Sequence, residues 1–282
     1  MVKLRLPAKR SSRALLALVV VLAVFALYAF LVEPNLLVTT TELDLEFEGL
    51  PDDLAGFRIV QVSDMHFGMW HLPIRDSLVL SSVEGLKPDV IVVTGDLICR
   101  SSAMSEAISF VAHLTSIAPT YVIMGNWDYW SGANMTSFRE ELERVGAVVL
   151  VNQHVELRVG SAVMYIIGVD DPYTWRDDLD KAMSGVPSNS FKLLLAHSPQ
   201  IIDRAAGRVD LILAGHTHGG QVKIPLLGPL FVPLPGKYRQ YVEGLFSVNG
   251  TLMYVNRGVG TSLMPIRFLT PPEVTLIVLL KP

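Results

Sequence analysis

Five apolar runs in this chain each end on residues that carry chemistry, and this constrains the fold more than any other feature. Arg58–Val62 leads into Ser63-Asp64-Met65-His66, Val90–Thr94 into Gly95-Asp96, and Tyr121–Met124 into Gly125-Asn126-Trp127-Asp128. Lys192–Leu195 leads into Ala196-His197-Ser198, and Leu211–Ala214 into Gly215-His216-Thr217-His218-Gly219-Gly220-Gln221. Short apolar runs bounded by glycine and polar residues read as buried strands. Further strand-like runs are Ala147–Val151, Val163–Val169, Thr251–Val255 and Val274–Leu280. Helices are expected over Arg75–Leu86, Met104–Thr115, Met135–Val145 and Pro199–Ala206. From Phe57 onward strand, loop and helix alternate, the pattern of an α/β fold with helices covering sheet faces. In open α/β sheets ligands bind outside the carboxyl ends of the strands. Seven metal-capable side chains, Asp64, His66, Asp96, Asn126, His197, His216 and His218, should therefore converge on one place.

The last of these motifs is the densest. His216 and His218 flank one small residue, and residues two apart in an extended segment point the same way. Glycines on both sides let the backbone turn tightly and leave room for a ligand. Two imidazoles at one strand end point to metal ligation. Each motif alone has a plainer explanation: a surface turn, a helix cap, a satisfied core histidine. All five together at one sheet edge do not.

Charge is placed unevenly. Residues 1–13 hold Lys3, Arg5, Lys9, Arg10 and Arg13 and no acid, so the remainder carries 18 basic against 27 acidic residues, a net −9. Phosphate-backbone binding wants a basic surface, so nucleic acid is excluded as the expected partner. An acidic protein that handles phosphate needs bound cations. Residues 14–32 contain no charge and as a helix would span about 28 Å, close to the bilayer core. The run is long for a cleaved signal peptide and no clear A-x-A site follows it, so an uncleaved anchor is expected. No twin-arginine signal is evident. The basic flank should stay in the cytoplasm, which places the rest outside. The expected organisation is a basic tail over 1–13, a transmembrane anchor over 14–32, a linker and edge strand over 33–56, and one α/β domain over 57–282. Cys99 is alone, so no internal disulfide forms, and it reads as a small core residue.

In order, the five motifs resemble the calcineurin-like metallophosphoesterase pattern: D-x-H, GD, GN-[HD]-[DE], a lone His, and GHxH. The likeness spans about residues 57–280. The blocks Gly168-Val169-Asp170-Asp171-Pro172, Gly219-Gly220-Gln221 and Asn256-Arg257-Gly258-Val259-Gly260-Thr261 are similar to the membrane-associated branch, whose members are phosphodiesterases or pyrophosphatases, some linked to UDP-diacylglucosamine hydrolysis. The resemblance implies a β-sandwich of two mixed sheets flanked by helices. It implies that Asp64, His66 and His218 hold one metal, that Asn126, His197 and His216 hold the other, and that Asp96 bridges them. Mixed imidazole, carboxylate and amide donors suit Mn, Fe, Zn or Co. Two ions about 3.5–4 Å apart can orient a phosphate and stabilise attacking and leaving oxygens. The implied reaction is in-line attack of a metal-bound hydroxide on a phosphodiester or pyrophosphate, with a phosphorylated small molecule or lipid as substrate.

One position departs from the family. Where many relatives carry a catalytic His, this chain has Trp127, whose indole cannot supply a proton at neutral pH. The leaving group needs no protonation, or another group such as His71 or a metal-bound water substitutes, or the chain is a non-catalytic metal-binding membrane protein. His113 and His154 read as structural or exposed. Downstream, Ile224 to Pro235 is strongly apolar, and its four prolines exclude a regular helix. It reads as a loop beside the metal site, packed on the domain's own core, walling an acyl pocket, or dipping into the membrane interface. Lys237, Arg239, Arg257 and Arg267 are candidate phosphate contacts.

The topology expectation is checked by fusing a compartment-sensitive reporter to the C-terminus. It should be active outside the cytoplasm, and activity confined to the cytoplasm would reverse the orientation.

Overall fold

The computed structural model describes residues 8–282, with side chains from Ser12 onward. The basic tail's Lys3 and Arg5 lie outside the described residues, as do the side chains of Lys9 and Arg10.

Fourteen strands occur among the described residues: β1 Thr39–Glu46, β2 Arg58–Val62, β3 Val90–Thr94, β4 Thr120–Ile123, β5 Val148–Val149, β6 Gln153–Val159, β7 Ala162–Gly168, β8 Phe191–Leu195, β9 Leu211–Ala214, β10 Lys223–Ile224, β11 Gly228–Pro229, β12 Gly244–Val248, β13 Thr251–Val255 and β14 Glu273–Leu280. They build two six-stranded mixed sheets, ordered β1-β14-β2-β3-β4-β5 and β12-β13-β9-β8-β7-β6, and one small hairpin of β10 and β11. In the first sheet β2 to β5 run parallel and β14 is antiparallel to β2. In the second, β7, β8, β9 and β13 run parallel, with β6 and β12 added antiparallel at the edges.

Alternation along the strands explains the layering. In β2 and β3, Ile59, Val90 and Val92 face the other sheet, where they pack with Met164, Ile166, Leu193, Leu195, Leu211 and Leu213. Val60, Val62, Ile91 and Val93 face the opposite way, onto the helices Ile74–Gly85, Met104–Ile117 and Met135–Arg144. The outer face of the second sheet buries Ile167, Leu194 and Ile212 against Leu179, Ile201 and Ile202. The result is helix, sheet, sheet, helix, the expected α/β sandwich. Strands buried on both faces read as continuous apolar runs, which is why β2, β3, β8 and β9 are visible in sequence. The edge strands β6 and β12 carry polar outward faces and were not expected; the four-residue helix Leu179–Ala182 was not either.

The N-terminal helix differs from its expectation in one respect. It does not stop at residue 32, where a linker was expected, but continues to Leu36 through a π-helical turn, Tyr28–Val32. Pro34 causes this, because its ring clashes with the carbonyl four residues back and it has no N–H to donate. The Glu33 N–H reaches back to Tyr28 O instead, and Asn35 Nδ2 donates to Phe30 O and Leu31 O at 3.2 and 3.1 Å. The freed Ala29 carbonyl accepts the Arg267 N–H at 2.9 Å. The Glu33 carboxylate accepts the N–H groups of Leu269 and Thr270, and Asn35 Oδ1 accepts that of Leu72. Phe25 packs on Phe268 at 4.7 Å and Phe30 stacks on Trp70 at 4.4 Å. The helix end is thus seated in the domain, while Ser12–Leu36 is long and apolar enough to cross a membrane and its residues up to Leu27 are exposed.

Leu193 sits fully buried between the sheets. Leu193→Ala should cost about 2–5 kcal/mol through the cavity it leaves, read as a lowered unfolding midpoint in detergent. A change no larger than that of Leu245→Ala on the exposed edge would contradict the two-sheet core.

Candidate metal centre

All seven expected donors meet at the carboxyl ends of β2, β3, β4, β8 and β9, and all are buried. They form two groups. Asp64, His66 and His218 make one, and Asp96, His197 and His216 the other; within each group the donor atoms lie within 4.8 Å of one another. Asn126 Oδ1 joins the second, 3.2 Å from His197 Nε2. Asp96 Oδ2 stands between the groups, 3.5 Å from His66 Nε2 and 3.2 Å from His197 Nε2.

The backbone is bent to deliver them. Asp64, His66, Asp96, His216 and His218 all have φ between 50 and 73°, a left-handed conformation that non-glycine residues seldom adopt. Five such residues at one point indicate a site held by its surroundings. Glycine is required alongside. A Cβ on Gly95, at φ +89°, would stand 2.6 Å from His197 Nδ1, and one on Gly215 would overlap Ser63 Oγ and Asp64 Oδ2. The Asn256–Thr261 block braces the Asp64 turn from behind: the Val259 N–H donates to Ser63 O at 2.9 Å and the Gly260 N–H to Asp64 O at 2.6 Å. Asp128 accepts the N–H groups of Gly125 and Ile98, both at 2.9 Å, which orients the Asn126 helix.

Hydrogen bonds on the far side of two rings set their tautomers. His197 Nδ1 lies 2.8 Å from Thr94 O and His216 Nε2 lies 3.2 Å from Pro233 O. A carbonyl only accepts, so both of these nitrogens carry hydrogen. The lone pairs of His197 Nε2 and His216 Nδ1 then face each other at 3.2 Å, beside Asn126 Oδ1 and Asp96 Oδ2. His66 Nε2 and His218 Nε2 face each other at 3.0 Å beside Asp64 Oδ1. Inward-facing acceptors in a buried site call for cations, and this donor set fits divalent ions.

The protonation pattern reflects the same crowding. Burial raises Asp64 to about 6. Burial, with Asp96 adding, raises Asp128 to about 7. Burial lowers His66 to about 4 and His216 to about 3, and His218 well below its ordinary value. Burial also opposes charge on His197, but Asp96 beside it prevails and holds the imidazole well above 6.5. Burial would raise Asp96, yet His197 and His66 hold it below the usual carboxylate value.

Three of the donors, Asn126, His216 and His218, line a cavity of about 390 Å³ whose walls are mainly apolar: Trp127, Trp130, Tyr173, Leu230, Phe231, Leu263 and Met264. Trp127 keeps a backbone role, donating its N–H to Asp96 Oδ1 at 2.8 Å, while its indole meets the His66 ring edge-on at 5.7 Å. No Lys or Arg lines the cavity among the described residues. Lys237 pairs with Asp203, Arg239 donates to Leu234 O, Arg257 pairs with Glu273, and Arg267 is spent on backbone carbonyls and His218 Nδ1. The expected phosphate role of these four is therefore corrected. His71 is also engaged elsewhere, with Met69 O and Asp76, both at 3.0 Å, outside the cavity lining. His113 and His154 bind backbone carbonyls, as expected of structural residues. Tyr173, 4.3 Å from the His216 ring, was missed. The Asp170-Asp171 pair was visible, but only the fold shows Asp171 accepting from Tyr173 and Thr174 and so fixing that loop.

The pattern of calcineurin-like phosphoesterases matches residues 57–220. Over 236 residues the chain is 33% identical to a phosphodiesterase of Escherichia coli, covering 80% of this chain and 83% of that one. It is 31% identical to a transmembrane protein with a metallophosphoesterase domain from Danio rerio, covering 95% and 62%. It is 27% identical to a UDP-2,3-diacylglucosamine pyrophosphatase of Chlamydia muridarum, covering 95% and 96%.

Cation binding should depend on pH with a defined sign. Protons on His197 and Asp64 compete with the ions, so affinity falls with falling pH, first through the raised range of His197 and again through about 6 for Asp64, and each ion taken up releases protons. Calorimetric titration in buffers of different ionisation heat measures this. Affinity unchanged between about pH 5 and pH 8 would contradict it.

Proposed function

This chain belongs to the calcineurin-like phosphoesterase family of two-metal hydrolases, and from that premise we propose that it is a membrane-anchored enzyme cleaving a phosphodiester or pyrophosphate bond in a lipid-linked substrate. The observation that carries this is the pairing of two buried donor groups with an apolar-walled cavity directly above them. Asp64, His66 and His218 would hold one divalent ion, Asn126, His197 and His216 the other, and Asp96 both. When bound, the ions would supply Lewis acidity toward phosphate oxygens and lower the pKa of water at the site.

The chain's own residues do the rest. Thr94 O and Pro233 O keep His197 and His216 in the tautomers that leave one lone pair inward on each. The His216 N–H holds the Asp64 carboxylate at 3.1–3.2 Å, which ties the two groups to one geometry. Trp127, Trp130 and Tyr173 form an aromatic wall, and Leu230, Phe231, Leu263 and Met264 offer a surface suited to acyl chains. No Lys or Arg side chain lines the cavity among the described residues, so substrate charge would be met by bound ions. With Trp127 in the wall and His71 engaged elsewhere, the favoured leaving group departs without a proton, as a phosphate or nucleoside phosphate does. The basic first segment supports a catalytic domain on the extracytoplasmic side, with residues 14–32 as a single span. The net −9 beyond that segment argues against nucleic acid.

Purified full chain in detergent, supplied with Mn, should hydrolyse bis(p-nitrophenyl) phosphate and release phosphate from lipid pyrophosphates in a substrate screen. Asp96→Asn should lower turnover at least about 100-fold and reduce bound metal. Trp127→His should accelerate poor leaving groups, by about 10²-fold where general-acid help is the missing element. No turnover by either form with Mn, Zn, Co or Fe would favour the non-catalytic reading.

A further inference from the structure

We propose that the β10–β11 hairpin and the neighbouring loop 262–264 are a second membrane contact, inserting their apolar tips into the same bilayer face from which the N-terminal helix emerges. The inference rests on the reading of that helix as a membrane anchor and adds a surface that the anchor does not require. The occupant is the lipid interface itself.

Three observations carry it. The first is exposure: Leu226 at the hairpin tip is 105% exposed, Leu227 80%, and Leu263 70%, with Met264 beside it. The second is backbone conformation. Leu226, Leu263 and Leu269 have φ of 70, 58 and 56°. In water such turn positions favour Gly or Asn, because leucine there is both strained and uncovered. An apolar environment for the side chain offsets that strain.

The third is position. Hairpin, loop and helix end form one hydrogen-bonded unit. Arg267 N–H donates to Ala29 O, and the adjacent Phe268 packs on Phe25 and Tyr28. Phe268 also pairs with the hairpin's base, accepting from Lys223 N–H at 2.9 Å and donating to Gln221 O at 3.0 Å. The Gln221 side chain ties in the loop, donating to Met264 O at 2.7 Å and accepting from Ser262 N at 2.9 Å. Leu226 is three residues from Lys223, so chain length keeps it within about 10 Å of that pairing. Phe25 lies inside the uncharged 14–32 run. The apolar tips therefore stand at the level where the helix leaves the hydrocarbon. Leu230 and Phe231 follow the hairpin and line the cavity, so its mouth opens at the membrane surface.

The test uses the full chain in phosphatidylcholine vesicles, with a polarity-sensitive fluorophore on one introduced cysteine at a time; native Cys99 is buried. Leu226→Cys should give blue-shifted emission, quenched several-fold more by shallow spin-labelled lipid than Ser188→Cys, which precedes β8 at the opposite end of the sheet. Val20→Cys reports the anchor. Quenching at Val20 with Leu226 behaving like Ser188 would overturn the inference alone. No quenching at Val20 would overturn the anchor and the inference with it. A blue shift at Leu226 without lipid quenching would assign the patch to a second copy of the chain and overturn it too. In a second measurement, the double variant Leu226→Asp, Leu227→Asp should keep its rate on bis(p-nitrophenyl) phosphate in detergent. On a phosphodiester lipid embedded in vesicles it should lose about tenfold, since interfacial docking draws on apolar burial. Equal loss, or no loss, on both substrates would count against the proposal.

Discussion

Everything around the site answers to one electrostatic constraint. Two carboxylates, four imidazoles and an amide point their acceptors at one another at 3.0–4.0 Å with almost no water access. Such a set is unfavourable unless cations or protons sit among it. The left-handed backbone at five donors, the glycines where a Cβ would collide, and the outward carbonyl bonds of His197 and His216 all hold the donors against their mutual repulsion. The sandwich supplies the stiffness. Parallel strands from two sheets end together, so the groups arise in short turns directly after rigid strands.

A second junction follows from a single proline. Pro34 widens the turn before it and so releases the Ala29 carbonyl from helical pairing. That carbonyl, the Glu33 carboxylate and the Asn35 amide oxygen then accept the N–H groups of Arg267, Leu269, Thr270 and Leu72. The consequence is orientation. A helix joined through a flexible linker would leave the domain free to turn about it, whereas these bonds fix the helix end against one face of the domain. The cavity and its apolar rim lie on the same unit.

How much of this was legible in the sequence differs by element. Strands buried on both faces appear as unbroken apolar runs, so β2, β3, β9 and β13 were read to the residue. Edge strands such as β6 mix polar and apolar residues and look like loops, because only half of each strand is covered. Phosphate roles for Lys237, Arg239, Arg257 and Arg267 could not be judged from composition. A cation's availability depends on what lies against it, and each of the four is already engaged by an acid or by carbonyls.

By itself the sequence picked out the seven candidate donors and their placement at strand ends, because both are local: a residue type, a preceding apolar run and a flanking glycine. It also carried the uncharged helix and the charge asymmetry beside it. Only the tertiary structure decided which donors face one another, which nitrogen of His197 and His216 points inward, and which side chains wall the cavity. Those depend on contacts between residues up to 152 positions apart, as His66 and His218 are. No local pattern encodes such a distance; the packing of two sheets does.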